Sequence, residues 1–172
     1  DFITKSTLAA TGLSLGMNSL SAAGSRFLGA NDKIRVGFIG VGNRGTQLLR
    51  LFMAQPDCEV AALCDLYEPY LLRDYSKVDK RYTGGFLGKE GRIPRMGEKF
   101  SNNVARYGDY RKLLEDRTID AVCIATPDHW HALQTIDAIN AGKDLYVEKP
   151  MTATIYEGRS MVNALAGSKQ IA

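Results

Sequence analysis

Paired cysteines are missing from this 172-residue chain. Its cysteines, Cys58, Cys64 and Cys123, stand singly in or beside apolar runs. Neither a zinc site nor a redox CxxC unit has the spacing it needs, so each is expected to pack as a small core hydrophobe. Histidine is equally sparse. His129 and His131 sit two apart at a helix start, where their side chains diverge, and no metal site is expected. An excess of one charge sign is lacking too: 22 Lys and Arg face 19 Asp and Glu, for a net charge of +3. With no dense basic run, nucleic acid is not an expected partner. No apolar run is long enough to span a bilayer, and neither internal repeats nor hairpin signals appear.

The opening stretch, "DFITKSTLAATGLSLGMNSLSAAG", combines Lys5, a weakly apolar segment over 8–17 and the small residues Ser21, Ala22 and Ala23. That is the pattern of a secretory leader, expected over residues 1–30, with an amphipathic or disordered arm as the alternative. "DFITK" resembles the tail of a twin-arginine export motif without its two arginines. Export, to the periplasm, is the expected localisation; the cytoplasm follows if the leader reading fails.

Beyond residue 30 two periodicities alternate. Strands are predicted at 33–40, 58–64, 104–107, 120–127 and 144–150, and helices at 44–55, 68–82, 110–117 and 129–142. A last helix opens on a capping box of Thr154 and Glu157. Residues 83–103 hold five glycines and a proline and read as a long surface loop. Near-continuous apolar strands alternating with helices predict an α/β fold over 31–172: a Rossmann-type, doubly wound parallel sheet covered on both faces.

"GFIGVGNRG" places Gly40, Gly42 and Gly45 in the spacing Gly-x-Gly-x-x-Gly between a predicted strand and helix. Gly40 permits a tight turn, Gly42 lets a pyrophosphate approach the backbone, and Gly45 lets helix and strand pack closely. Asp65 ends the second strand, twenty residues after Gly45, where a carboxylate binds ribose hydroxyls; capping of the next helix is its plainer role. Leu66, Tyr67 and Glu68 offer no cation for a 2'-phosphate, so NAD is expected over NADP. Asn43 and Arg44, inside the turn, are candidates for pyrophosphate or ribose contact.

Thr126, Pro127, Asp128, His129, Trp130 and His131 gather at the carboxyl end of the fourth strand, the edge where open parallel sheets bind ligands. The fifth ends in Glu148-Lys149-Pro150. Proline biases Lys149 towards extended geometry, and Glu148 and Lys149 point to opposite faces. A lysine at this edge can assist proton loss from a substrate hydroxyl as hydride leaves the same carbon.

Together, "VGFIGVGNRG", Asp65 and "ATPDHWHALQTIDAINAGKDLYVEKPMT" resemble the Gfo/Idh/MocA oxidoreductases, which include glucose-fructose oxidoreductase and inositol dehydrogenase. The resemblance implies cofactor contacts from Gly40, Gly42, Asn43, Arg44, Gly45 and Asp65, a nicotinamide-side edge of Thr126, Pro127, Asp128, His131 and Glu148, and catalysis by Lys149. At Asp128 the family more often has Asn. It further implies a sugar or cyclitol substrate, a larger C-terminal α+β substrate domain beyond this chain, and a homo-oligomer in the full-length protein. Two alternatives within the resemblance are an NAD-dependent glycosidase, a group whose members often lack the EKP lysine, and a sugar sensor that binds dinucleotide without turnover.

Overall fold

The computed structural model describes residues 33–83 and 95–172. The expected leader and residues 84–94 of the expected loop lie outside the described residues. The elements run β1 (Ile34–Ile39), α1 (Asn43–Met53), β2 (Cys58–Cys64), α2 (Glu68–Leu71), a 3-10 turn (Tyr75–Lys77), α3 (Lys80–Thr83), β3 (Ala105–Tyr107), α4 (Tyr110–Glu115), β4 (Ala121–Ile124), a second 3-10 turn (Asp128–Trp130), α5 (His131–Asn140), β5 (Asp144–Val147) and α6 (Ile155–Ala166).

All strand pairs are parallel, in the order β3-β2-β1-β4-β5. The chain starts at the centre, works outward to β3, then returns to lay β4 on the other side of β1. The connections diverge between β1 and β4, which opens a crevice at their carboxyl ends. This is the expected Rossmann-type sheet, and its strands alternate between two cores. Val36 and Phe38 of β1, Val60 and Leu63 of β2 and Cys123 of β4 pack with Leu48 and Leu49 of α1. On the other face Ile39, Ala61, Ala62, Val122 and Ile124 pack with Leu113 of α4, Ala138 and Ile139 of α5 and Leu145. Each large side chain so buried contributes about 1.5–3 kcal/mol. Pairing shifts between Val36 and Gly37, opposite the extra residue Ala61, which keeps both Val60 and Leu63 on the α1 face. Cys64 and Cys123 are core residues, and burial pushes both thiols up to about 12.

The single helix predicted at 68–82 is broken. α2 stops at Leu71, Arg73 turns into the left-handed region at φ 59, and Asp74 and Asp79 accept backbone N–H bonds from Ser76 and Arg81 two residues on. Such local aspartate bonds compete with helix, and a left-handed residue costs about 1–2 kcal/mol. Two strands end earlier than the pattern predicts: β4 stops at Ile124 and β5 at Val147, although Glu148 N–H still donates to the Ile124 carbonyl at 2.9 Å. Lys149 lies past the strand, and the Lys149–Pro150 peptide is cis. The capping box of α6 is present, with Glu157 N–H donating to Thr154 Oγ1 at 3.2 Å and Thr154 N–H to Glu157 Oε2 at 2.9 Å. No helix among the described residues is long and apolar enough to cross a membrane.

Candidate functional site

The turn between β1 and α1 sits at the mouth of the crevice. Gly40 has φ +83, and a Cβ there would lie 2.8 Å from Thr126 N and 2.9 Å from the Ala125 carbonyl. The turn is thus pressed against the end of β4. A Cβ on Gly45 would fall 2.0 Å from the Gly40 carbonyl oxygen, so α1 begins in direct contact with the turn. Gly42 meets the Tyr70 ring, whose Cε2 would be 3.0 Å from an added Cβ. Val41 N–H is taken by Asp65, but the N–H groups of Gly42, Asn43, Arg44 and Gly45 have no acceptor among the described residues. Nor does any acidic residue or capping side chain occupy the first turn of α1. Consecutive unpartnered amides at a helix start favour an anion, so the turn fits a dinucleotide's pyrophosphate.

Asp65 uses both carboxylate oxygens to brace this turn. Oδ2 accepts from Val41 N–H and Oδ1 from Tyr67 N–H, each at 2.9 Å. Burial holds its pKa above the ordinary carboxylate value, opposed by those N–H donors and by the Arg73 guanidinium. Asp65 therefore braces the turn rather than capping α2, whose N-cap is Tyr67, and each oxygen retains a lone pair for a ribose hydroxyl.

Across the crevice, Arg44 is half exposed and joins the glycine turn to the end of β5. Its Nε and Nη2 lie 2.7 and 2.6 Å from Glu148 Oε1. Glu148 is buried; its other oxygen accepts the Lys149 N–H at 2.9 Å. Burial pushes Glu148 up, but Arg44, the Lys149 amide and Tyr146 together hold it below its ordinary value. Lys149 is exposed, and its amine makes no ion pair or hydrogen bond among the described residues.

The residues after β4 divide. Asp128 and His129 are exposed, while Pro127 precedes the turn they occupy. Thr126 Oγ1 donates to Gln134 Oε1 at 2.6 Å. His131 is 1% exposed; its Nδ1 lies 2.7 Å from the Pro150 carbonyl oxygen and its Nε2 2.7 Å from that of Thr126. Both ring nitrogens are thus turned to backbone, strapping the loop after β4 to the loop that carries Lys149. No metal-ligating cluster exists among the described residues.

Sequence reasoning missed Thr46, Tyr70, Arg73 and Glu98, which support the turn from beneath. A threonine, a tyrosine and two charges at ordinary helix or loop positions carry no spacing signal that points inward.

The model of the oxidoreductase family with an NAD-binding Rossmann fold matches residues 89–172. Over these residues the chain matches the Gfo/Idh/MocA family. A glycosyl hydrolase family 109 protein of Shewanella baltica is 34% identical over 126 residues, covering 73% of this chain and 24% of that protein. Among solved structures, apo scyllo-inositol dehydrogenase from Lactobacillus casei superimposes with TM-score 0.60 at 20% identity, over 82% of this chain and 35% of that one. The WlbA dehydrogenase from Bordetella pertussis, solved with NADH and UDP-GlcNAcA, gives 0.59 at 23% identity, over 79% and 35%. The chain therefore spans about a quarter of the curated relative and a third of the solved chains. Its sheet shares their fold.

Proposed function

We propose that this chain is the cofactor-binding part of an NAD-dependent oxidoreductase that transfers hydride to or from a sugar or cyclitol. The observation that carries this reading is the division of labour at the end of β5. Glu148 is committed to Arg44 and to backbone, which leaves the Lys149 amine free at the carboxyl edge of the sheet, across the crevice from the glycine turn. When bound, NAD supplies the hydride acceptor or donor. The amides of Gly42, Asn43, Arg44 and Gly45 hold its pyrophosphate, and Asp65 accepts from a ribose hydroxyl. The absence of a cation in Leu66-Tyr67-Glu68 favours NAD over NADP. Lys149 hydrogen-bonds the substrate oxygen and takes its proton as hydride leaves the same carbon; in the reverse direction it returns that proton.

In the complete protein, Lys149→Ala is expected to lower kcat by about 10²- to 10⁴-fold while NAD affinity stays within about twofold. Steady-state kinetics beside an NAD titration measure both, and an unchanged rate removes the catalytic role. The leader-like opening supports export with the nucleotide already bound. Complete protein purified from the periplasm should carry NAD, and protein recovered without nucleotide, and binding none tightly, counts against this.

A second reading rests on the relative named as a glycosyl hydrolase: hydride leaves and returns, and the net reaction is hydrolysis. Retention of Lys149 favours the first reading. Net NADH accumulation on sugars or cyclitols supports oxidoreduction; aglycone release from glycosides without net NADH change supports the second.

A further inference from the structure

Beneath the glycine turn lies a cation that neither the glycine spacing nor Asp65 calls for. Arg73 is 5% exposed. Its Nη1 donates to the Val41 carbonyl at 2.6 Å and to that of Tyr70 at 3.3 Å. Nη2 donates to Thr46 Oγ1 at 2.8 Å, and Nε to Glu98 Oε2 at 3.0 Å. The Glu98 side chain is 5% exposed and also pairs with Arg50 of α1. The Thr46 hydroxyl that accepts from Arg73 lies 2.6 Å from the Gly42 carbonyl, its acceptor.

The carbonyl and N–H of one trans peptide point in opposite directions. Arg73 draws the Val41 oxygen inward, so the Gly42 N–H of the same peptide is aimed outward. Thr46, through both its hydroxyl and its N–H at 2.9 Å, draws the Gly42 oxygen inward and so aims the Asn43 N–H outward. These are two of the amides left without an acceptor. The guanidinium also places a positive charge behind them, with Glu98 as its counter-ion.

We propose that Arg73, anchored by Glu98, is a positioning residue for the dinucleotide's diphosphate: it presets the glycine-turn amides without touching the nucleotide. The inference deepens the NAD-binding reading and rests on it. A diphosphate-free ligand that uses only the ribose and adenine contacts does not depend on this aim.

The test is made on the complete protein with two probes, NAD and adenosine, the latter as a competitor of NAD. Arg73→Lys keeps the charge but cannot span the Val41 oxygen, Thr46 and Glu98 together. NAD affinity is expected to fall about tenfold while adenosine affinity stays within about twofold. Should Arg73→Lys fail to fold, Glu98→Gln, which loosens the same guanidinium, supplies the readout, with a smaller loss confined to NAD. Parallel weakening of both probes, or unchanged NAD affinity in a folded variant, overturns the proposal. A wild-type protein that binds no NAD removes the cofactor reading itself, before any variant is made.

Discussion

At Gly40 and Gly45 a single methyl group decides whether the nucleotide turn can form. Gly40→Ala must place its Cβ against the backbone of Ala125 and Thr126 in a left-handed conformation, and Gly45→Ala must push α1 off the Gly40 carbonyl. Backbone cannot yield as a flexible side chain can, so each substitution is expected to destabilise the complete protein by about 2–5 kcal/mol and to abolish NAD binding. Gly108, where an added Cβ meets nothing within 4 Å, is the control. Gly108→Ala should stay within about 0.5 kcal/mol and bind normally. Chemical denaturation and an NAD titration of the three variants decide this. These glycines were legible because their requirement is steric and fixed in spacing. Arg73 was not, since an arginine entering the left-handed region to reach inward leaves no mark on hydrophobic periodicity.

Between elements, the same contrast separates what pattern reveals from what contact decides. The parallel sheet was legible because strands buried on both faces, as at Phe38 and Ile39 of β1 and Cys123 and Ile124 of β4, read as near-continuous apolar runs between helices. The break within 68–82 was hidden because its apolar and charged residues suit a helix; the local bonds of Asp74 and Asp79 only compete with that helix, and the inward pull on Arg73 depends on tertiary partners. The lysine-bearing loop was legible as a motif, yet its support was not. His131 looked like a residue facing the crevice, whereas its ring is enclosed between the carbonyls of Thr126 and Pro150. His131→Leu fills the same space but removes the ring N–H donor from between the two carbonyls, and is expected to cost about 1–3 kcal/mol. Gln134→Leu removes only the Thr126 hydroxyl's acceptor and should cost about half as much. Thermal unfolding of the two variants compares them; equal and small losses would discount the strap.

At the scale of the whole molecule, Glu98 and Glu148, whose side chains are almost covered, join segments distant in sequence. Glu98 ties 95–103 to α1 and Arg73, and Glu148 ties β5 to the glycine turn. Burial pushes both carboxyls up, but the arginines and backbone donors hold both below their ordinary 4.5. The unfolded chain therefore binds more protons than the folded one just below that value. Their stabilisation is fully present above about pH 4.5 and is lost as pH falls through the depressed native values. Asp65 acts in the opposite sense. Burial raises it above 3.8, the folded chain holds the extra proton, and stability falls as pH rises through that interval. Glu98→Gln is expected to lower stability at neutral pH by about 3 kcal/mol, because it leaves Arg73 buried without its counter-charge. Glu148→Gln should cost less, since half-exposed Arg44 is screened by solvent. Both should flatten the loss of stability below pH 4.5, and Asp65→Asn, which removes the opposing contribution, should steepen it. Urea unfolding of the complete protein across the acid range reads all three slopes; an acid limb unchanged in both glutamine variants would place its cause outside these two pairs.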